Sequence, residues 1–365
     1  MRTRCFLTAA TLAAACSSER PGQTAGADSV AAPVAAAPAA APSAAGELVY
    51  VTNEDSRNLN VIDTRTDSVV SSIEVGTRPR GVRVSADGRT VYVALSGSPK
   101  CPPTMPDEEC EKLVADKSKD GIAILDVAAR KVLRLLPGGS DPETFDLSKD
   151  GSKLFVSNED ANTASIVDLA SGKILATIPV GKEPEGVRLH PDGRTVWVTG
   201  ETDHDLTLLD TESGKKVGRI EVGKRPRDLA FSPDGSKAYV TSEVDGTLWV
   251  IDVAAGKPIA TVKLAEGAKP MGVVLSGDGK RVYVATGRGK TVAMVDTESN
   301  KVVGQVEVGA RPWGIGLTSD GKKLYTANGP SNDVTVVDPA TLRVLRKIPA
   351  GVTPWGIAIG PVPKP

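Results

Sequence analysis

Residues 182–199 read Lys182-Glu183-Pro184-Glu185-Gly186-Val187-Arg188-Leu189-His190-Pro191-Asp192-Gly193-Arg194-Thr195-Val196-Trp197-Val198-Thr199 and carry the two signals that decide the fold. A proline opens a short apolar strand, Gly186 to Leu189. An Asp-Gly turn follows, and then a second alternating strand, Thr195 to Thr199. The pattern continues through a third strand, Leu206 to Asp210, a turn at Thr211-Glu212-Ser213-Gly214, and a fourth strand, Lys216 to Val222. β-Branched alternation bounded by Asp-Gly reads as strands joined by tight hairpins.

The same proline recurs at Pro79, Pro142, Pro184, Pro226, Pro270, Pro312 and Pro354, at intervals of 63, 42, 42, 44, 42 and 42 residues. The Asp-Gly turn follows nine residues later, ending at Gly88, Gly151, Gly193, Gly235, Gly279 and Gly321. Four strands on a period in the low forties predict a β-propeller. The register also predicts how the ring closes. Residues 47–76 supply only the second, third and fourth strands of a unit, six complete units run to Gly351, and Trp355 to Ile359 is a lone first strand. Pairing that strand with the N-terminal three makes an all-β, seven-bladed ring without a free sheet edge.

A formal charge of -1 over 365 residues provides no global attraction for nucleic acid, which is not expected as a partner. The first residues read as an export signal: Arg2 and Arg4 precede an apolar run from Cys5 to Ala15, too short to span a bilayer. Leu12-Ala13-Ala14-Ala15-Cys16 resembles a lipobox with leucine four places before the cysteine, so lipidation of Cys16 is expected, with ordinary signal cleavage nearby as the alternative. The domain reading is therefore a signal at 1–16, an Ala/Pro-rich disordered tether at 17–46, and a propeller at 47–365 with a loop insert at about 96–120. This places a monomeric propeller in the bacterial periplasm or outer envelope, meeting the membrane only through the N-terminal lipid.

Topology divides the loops between two faces. The Asp-Gly face is nearly uniform from blade to blade, whereas the proline face varies in charge, as binding loops on a rigid scaffold do. Around that face run Arg78 and Arg80, Asp141 and Glu143, Glu183 and Glu185, Arg225 and Arg227, Lys269 and Met271, Arg311 and Trp313, then Thr353 and Trp355. Loops after the second strands add Glu159, Asp160, Glu201, Asp203 and Asp205 to an acidic arc, and Arg288 and Lys290 to a basic one. Arg225, Arg227, Lys269, Arg288, Arg311 and Trp313 can hold an anionic, partly planar ligand, because guanidinium forks suit carboxylate or phosphate and indole provides a stacking face. Arg78, Arg80, Trp355, Glu143 and Glu185 complete the candidate ligand set. The alternative is that neighbouring blades pair these charges with one another.

Between Leu95 and Gly121 the loop carries about 21 residues more than its counterparts, including Cys101 and Cys110. In an exported protein the two most simply form a disulfide that stiffens the loop. A Cys101-Met105-Cys110 copper site is the sharper alternative. His204 beside Glu201, Asp203 and Asp205 is a weak metal motif, His190 sits in a turn without evident chemistry, and Trp197 and Trp249 read as packing between blades. No haem, nucleophile-elbow or phosphate-loop motif occurs, so no cofactor and no resident metal are expected.

Units such as Leu154-Phe155-Val156-Ser157-Asn158-Glu159 through Ile166-Val167-Asp168 resemble the YVTN-repeat, YncE-like propellers over about residues 47–360. Asp141-Pro142-Glu143, Glu183-Pro184-Glu185-Gly186, Arg225-Pro226-Arg227 and Arg311-Pro312-Trp313 are similar to a subgroup associated with periplasmic quinone-cofactor (PQQ) catabolic systems. The resemblance implies a periplasmic or surface binding protein and no common reaction. The leading expectation is a non-catalytic propeller that binds a small anion or a periplasmic protein. One alternative is a lactonase- or lyase-type enzyme using Glu143, Glu185 or Glu201. The other is a structural or adhesive surface module.

Overall fold

The computed structural model describes residues 46–363 except 101–104, 106 and 111. The export signal, the tether and Cys16 lie outside the described residues, as does Cys101. Seven four-stranded antiparallel sheets make up the ring. Blade 1 pairs Pro354–Pro361 with Glu47–Asn53, followed outward by Asn58–Asp63 and Ser68–Glu74, so both ends of the propeller lie in one sheet as the register predicts. Blades 2 to 7 each run from their own inner strand. These strands are Pro79–Val84, Pro142–Leu147, Pro184–Leu189, Pro226–Phe231, Val273–Leu275 and Pro312–Leu317.

Seven apolar clusters fill the seven blade interfaces. Tyr50, Leu59, Val82 and Val93 join blades 1 and 2, and Tyr325, Val336, Val49 and Ile62 join blades 7 and 1. Trp197 of blade 4 is almost fully buried and meets Phe231 of blade 5 edge-on at 5.0 Å. Trp249 packs at the same interface, its indole nitrogen donating to Thr247 Oγ1 at 3.1 Å. Both are packing residues, as expected. His190 has more to do than its turn position suggests. Its ring stands edge-on to Phe231 at 4.9 Å and its Nε2 bonds the Gly235 carbonyl at 2.9 Å, linking blade 4 to blade 5.

Most inner strands begin at the proline itself, two residues earlier than alternation suggests. Pairing jumps between Pro184 and Val187, and at equivalent places after Pro79, Pro142, Pro226 and Pro312. Proline at the first strand position withholds no donor the ladder needs, and the bulge behind it re-aims the next two residues. The residue two after the proline approaches the neighbouring blade closely. A Cβ on Gly186 would lie 2.5 Å from the Arg227 carbonyl oxygen, and one on Gly314 2.5 Å from that of Trp355. Thr144 takes this place in blade 3 by donating its hydroxyl to the Glu185 carbonyl at 2.5 Å, and Asp228 takes it in blade 5.

Candidate functional site

The residues after the seven prolines are Arg80, Glu143, Glu185, Arg227, Met271, Trp313 and Trp355; six of them sit at the bulge of an inner strand, whereas Met271 precedes its strand, which begins at Val273. Four neighbours are charged and three are apolar. Beyond this residue, each blade adds the side chain before the proline. Six of these seven have positive φ, from 42° at Arg78 to 58° at Arg225, with Lys269 the exception.

The charged arc is paired internally. Arg80 is buried and its guanidinium holds Asp141, Glu143 and Glu159, the last at 3.4 Å. Arg227 holds Glu185 and Glu201 through Nη1 and Glu243 through Nε at 2.7 Å. Arg225 adds contacts to Glu201 at 2.5 Å and Glu243 at 3.5 Å. Arg78 bonds Glu54 at 2.9 Å and the Ser98 carbonyl at 2.5 Å. Carboxyls outnumber guanidiniums here, and burial decides the protonation. Burial drives Glu201 up to about 10, helped by neighbouring Glu185 and opposed by Arg227. Glu143 and Glu159 are raised by burial against the pull of Arg80. Burial is the largest influence on Glu185 too, but Arg227, the hydrogen bond from Glu201 and Arg225 together hold the carboxyl below its usual range. Glu201 and Glu185 thus form an acid–carboxylate pair around one guanidinium.

The opposite arc is different in kind. Trp313 and Trp355 meet edge-to-face at 5.5 Å, beside buried Met271. The Arg311 guanidinium lies 4.7 Å over the Trp313 ring. Among the described residues no carboxylate lies within salt-bridge distance of Arg311, in contrast to Arg80 and Arg227. Burial lowers its basicity, and Arg288, Arg227 and Arg225 add to that against an opposing pull from Glu243. Arg288 is exposed, and Lys269 donates to the Val244 carbonyl at 3.0 Å. Of the candidate basic residues, Arg311, Arg288 and Lys269 are therefore free of carboxylate partners, whereas Arg78, Arg80, Arg225 and Arg227 are committed to them.

A cavity of about 70 Å³ lies against the ring, and Glu185, Arg227, Met271, Trp313 and Trp355 all line it. Its lining combines apolar Trp313, Trp355, Met271, Ile315 and Ile357 with polar Arg83, Arg188, Thr144, Asp228, Glu185 and Arg227. Arg83 donates to Asp146 at 3.1 Å and Arg188 to Asp228 at 3.0 Å. Asp228 also accepts from the Leu229 and Val273 amides, at 2.8 and 3.3 Å. Burial pushes its carboxyl up to about 7, against the field of Arg83. These four charged residues are absent from the sequence-based candidates. Their signal is a charge two or four places after the proline, where blades 6, 7 and 1 have Gly, Val or Ala.

The insert is rooted over the charged arc. Lys100 pairs with Glu54 and Asp55 of blade 1 at 2.9 and 3.1 Å, while Lys117 pairs with Asp160 of blade 3. A single helical turn, Asp107–Cys110, lies within it. His204 does not assemble the metal motif considered above. Its Nδ1 bonds the Glu201 carbonyl at 2.8 Å, Asp205 pairs with Arg219, and Asp203 accepts from the Lys182 amide at 3.2 Å. Among the described residues no group of three His, Cys, Asp or Glu is placed to hold a metal ion.

Comparison with known proteins agrees with this geometry. A family model described as a YNCE-like beta-propeller matches residues 105–191, and one described as a lactonase, 7-bladed beta-propeller, matches residues 187–347. Among curated proteins, Antigen Lp49 of Leptospira interrogans is 27% identical over 139 residues, 30% of this chain and 30% of that protein. The chain thus spans under a third of the curated relative it matches. Among solved structures, a hydrazine synthase chain from Kuenenia stuttgartiensis superposes with a TM-score of 0.70 at 21% identity, covering 82% of this chain and 94% of that one. A protein of unknown function from Desulfotomaculum acetoxidans does so with a TM-score of 0.70 at 17% identity, covering 86% and 98%. Identities this low speak for the fold alone. The seven proline-led blades and their closure through both ends make this chain a seven-bladed β-propeller, with stretches that match a YNCE-like and a lactonase propeller model.

Proposed function

We propose that this propeller is a non-catalytic binding protein of the bacterial envelope that takes a small organic anion at its channel mouth. The ligand's charge meets Arg311, Arg288 and Lys269, and its apolar face lies on the Trp313–Trp355 pair. The observation that carries this reading is Arg311: a partly buried guanidinium stacked on indole without a carboxylate partner, on a face where Arg80 and Arg227 are surrounded by carboxylates. A desolvated cation without a counter-ion is costly unless an anion completes it. The proposal keeps the export signal, the lipid at Cys16 and the Cys101–Cys110 disulfide as features of an envelope protein.

Calorimetric titration of residues 46–365 with benzoate tests it. Arg311→Ala is expected to weaken binding about 10- to 100-fold, the loss of a charge-assisted contact. Arg78→Ala, already paired with Glu54, is expected to change it less than about twofold. Equal effects of the two substitutions, or no benzoate binding by the parent, would remove the basis for the site.

A second reading is favoured by the lactonase match and by the carboxyls kept protonated beside arginines. Glu201 and Asp228 have the character of acid–base groups, and an arginine can stabilise a developing oxyanion. It expects acid release from gluconolactone that Asp228→Asn or Glu185→Gln abolishes while benzoate binding persists. A parent that releases no acid above the buffer rate eliminates this reading.

A further inference from the structure

We infer that the outer rim of the propeller over blades 7, 1 and 2 is an interaction surface that lies on an anionic lipid bilayer. The surface is separate from the channel mouth and goes beyond the anion reading of that site.

The starting point is a feature that every blade shares. The outermost strand of each blade carries a bulge, which leaves one residue without a partner in the ladder. In blade 1 the skipped residue is Val70, in blade 2 Leu133 and in blade 7 Leu345. A bulge bends the outer strand and denies a foreign strand a continuous edge, which guards the ring against edge-to-edge pairing. That role makes no demand on the side chain, and a polar residue would fill it. Yet in all seven blades the skipped residue is aliphatic and between 47% and 57% exposed. The bulges also count against a protein partner that docks by adding a strand, because the ladder is interrupted where it would have to pair.

Three further observations single out one sector of this rim. First, blades 7, 1 and 2 each expose a second aliphatic on the same strand, Val344, Val69 and Leu135, and blade 3 adds Ile174 beside them. The outer strands of blades 4, 5 and 6 expose no second large aliphatic. Second, the charge is one-sided. On these strands and the turns that lead into them, exposed Arg343, Arg346 and Lys347 of blade 7, Arg65 of blade 1, and Arg130, Lys131 and Arg134 of blade 2 stand against one exposed acid, Glu74. Of these cations Arg65 is paired, with Asp63. On the same segments of blades 4, 5 and 6, exposed Glu212, Glu221, Glu298 and Glu307 offset six exposed Arg and Lys. Third, the chain enters the ring in the middle of the sector. A Cβ on Gly46 would lie 3.0 Å from the Arg65 side chain, and the strand Glu47–Asn53 of blade 1 follows directly. An N-terminal segment anchored at Cys16 therefore brings blade 1 to the bilayer ahead of the opposite rim. Aliphatic side chains flanked by cations suit the boundary between acyl chains and anionic headgroups. Long arginine and lysine stems on blades 7 and 2 reach past the curve of the ring to headgroups on either side of blade 1.

Cosedimentation with vesicles tests the surface, using residues 46–365, which hold the whole closed ring and carry no lipid of their own. Vesicles of phosphatidylcholine alone are compared with vesicles of equal parts phosphatidylcholine and phosphatidylglycerol. The anionic vesicles are expected to bind at least about tenfold more tightly. Lys131→Gln, Arg343→Gln and Lys347→Gln combined should weaken that binding about 30- to 100-fold, roughly fivefold for each charge removed. Lys216→Gln, Lys257→Gln and Lys301→Gln combined, on the far rim, should stay within about threefold. Leu133→Ser with Leu345→Ser should weaken binding about tenfold, and Val217→Ser with Ile259→Ser by less than about twofold. All these side chains are exposed, so melting temperature and benzoate titration should match the parent, which keeps this test separate from that of the mouth. Equal losses in the two triple variants would overturn the assignment to this sector. Equal binding to both kinds of vesicle would overturn the role of the cations, and binding to neither would overturn the surface. A parent that binds no vesicle but elutes as a dimer, dispersed by Leu133→Ser with Leu345→Ser, would make the rim a contact between copies and overturn the lipid reading.

Discussion

Arg80 and Arg311 occupy related places, one after and one before its proline, yet they are opposite kinds of residue. Arg80 is closed in by Asp141, Glu143 and Glu159, and removing its guanidinium leaves those carboxyls buried without compensation. Arg80→Met is expected to cost about 3–5 kcal/mol at neutral pH, and less near pH 5 where protonated carboxyls tolerate the loss. Urea unfolding at the two pH values measures it, and an equal deficit at both would contradict the charge argument. Glu201 has a calculable sign. Its folded value of about 10 lies above the ordinary carboxyl value, so the folded protein holds a proton that the unfolded chain releases. The resulting stabilisation is complete below about pH 4.5 and is lost as pH rises towards 10. Melting temperature should fall across that window, and Glu201→Gln, which mimics the protonated acid, should flatten the fall. Identical slopes for parent and variant would count against it. That neighbouring blades pair their charges was one of two readings the sequence offered, but the particular pairs were not legible in it. Arg227 lies 42 residues from Glu185 and 26 from Glu201, and only blade neighbourhood brings them together.

Within an element, the informative unit is the inner strand. Its proline was visible as a repeat, but the need for glycine two places later in five of the seven blades was not. The next blade's backbone passes so close that Gly186→Ala would set its Cβ 2.5 Å from the Arg227 carbonyl oxygen and 3.0 Å from the Asp228 Cα, neither of which can yield as a flexible side chain would. This substitution is expected to cost about 1–3 kcal/mol. Gly277→Ala, with nothing within 4 Å of its Cβ, should stay within about 0.5 kcal/mol in the same denaturation assay. Equal effects would mean that the blades separate without cost. Alternation placed the strand start late, at Gly186, because the bulge after Pro184 breaks period two while pairing continues. The same bulge recurs at five of the six counterparts of Glu185, Met271 of blade 6 being the exception.

At the scale of the molecule, closure binds the whole ring into one structure. The strand Pro354–Pro361 pairs with Glu47–Asn53 and covers the last open edge. Deleting residues 354–365 should leave that edge free, broaden the melting transition and produce oligomers on size exclusion. A sharp, monomeric transition in the truncated protein would show that six blades and a partial seventh suffice. Blade number, closure and the variable face followed from the sequence alone, because hydrogen-bonded repeats impose a period and a period can be counted. The sequence also presented most charges on that face, though Glu54, Glu243 and the cavity residues Arg83, Arg188 and Asp228 were not among them. Which of them remain available was decided only by tertiary structure. Seven blades in a circle place Arg80 and Arg227 at the two ends of a glutamate-rich arc and leave Arg311 facing tryptophan. The energy of a charge depends on its neighbours and its burial, and both are properties of the closed ring.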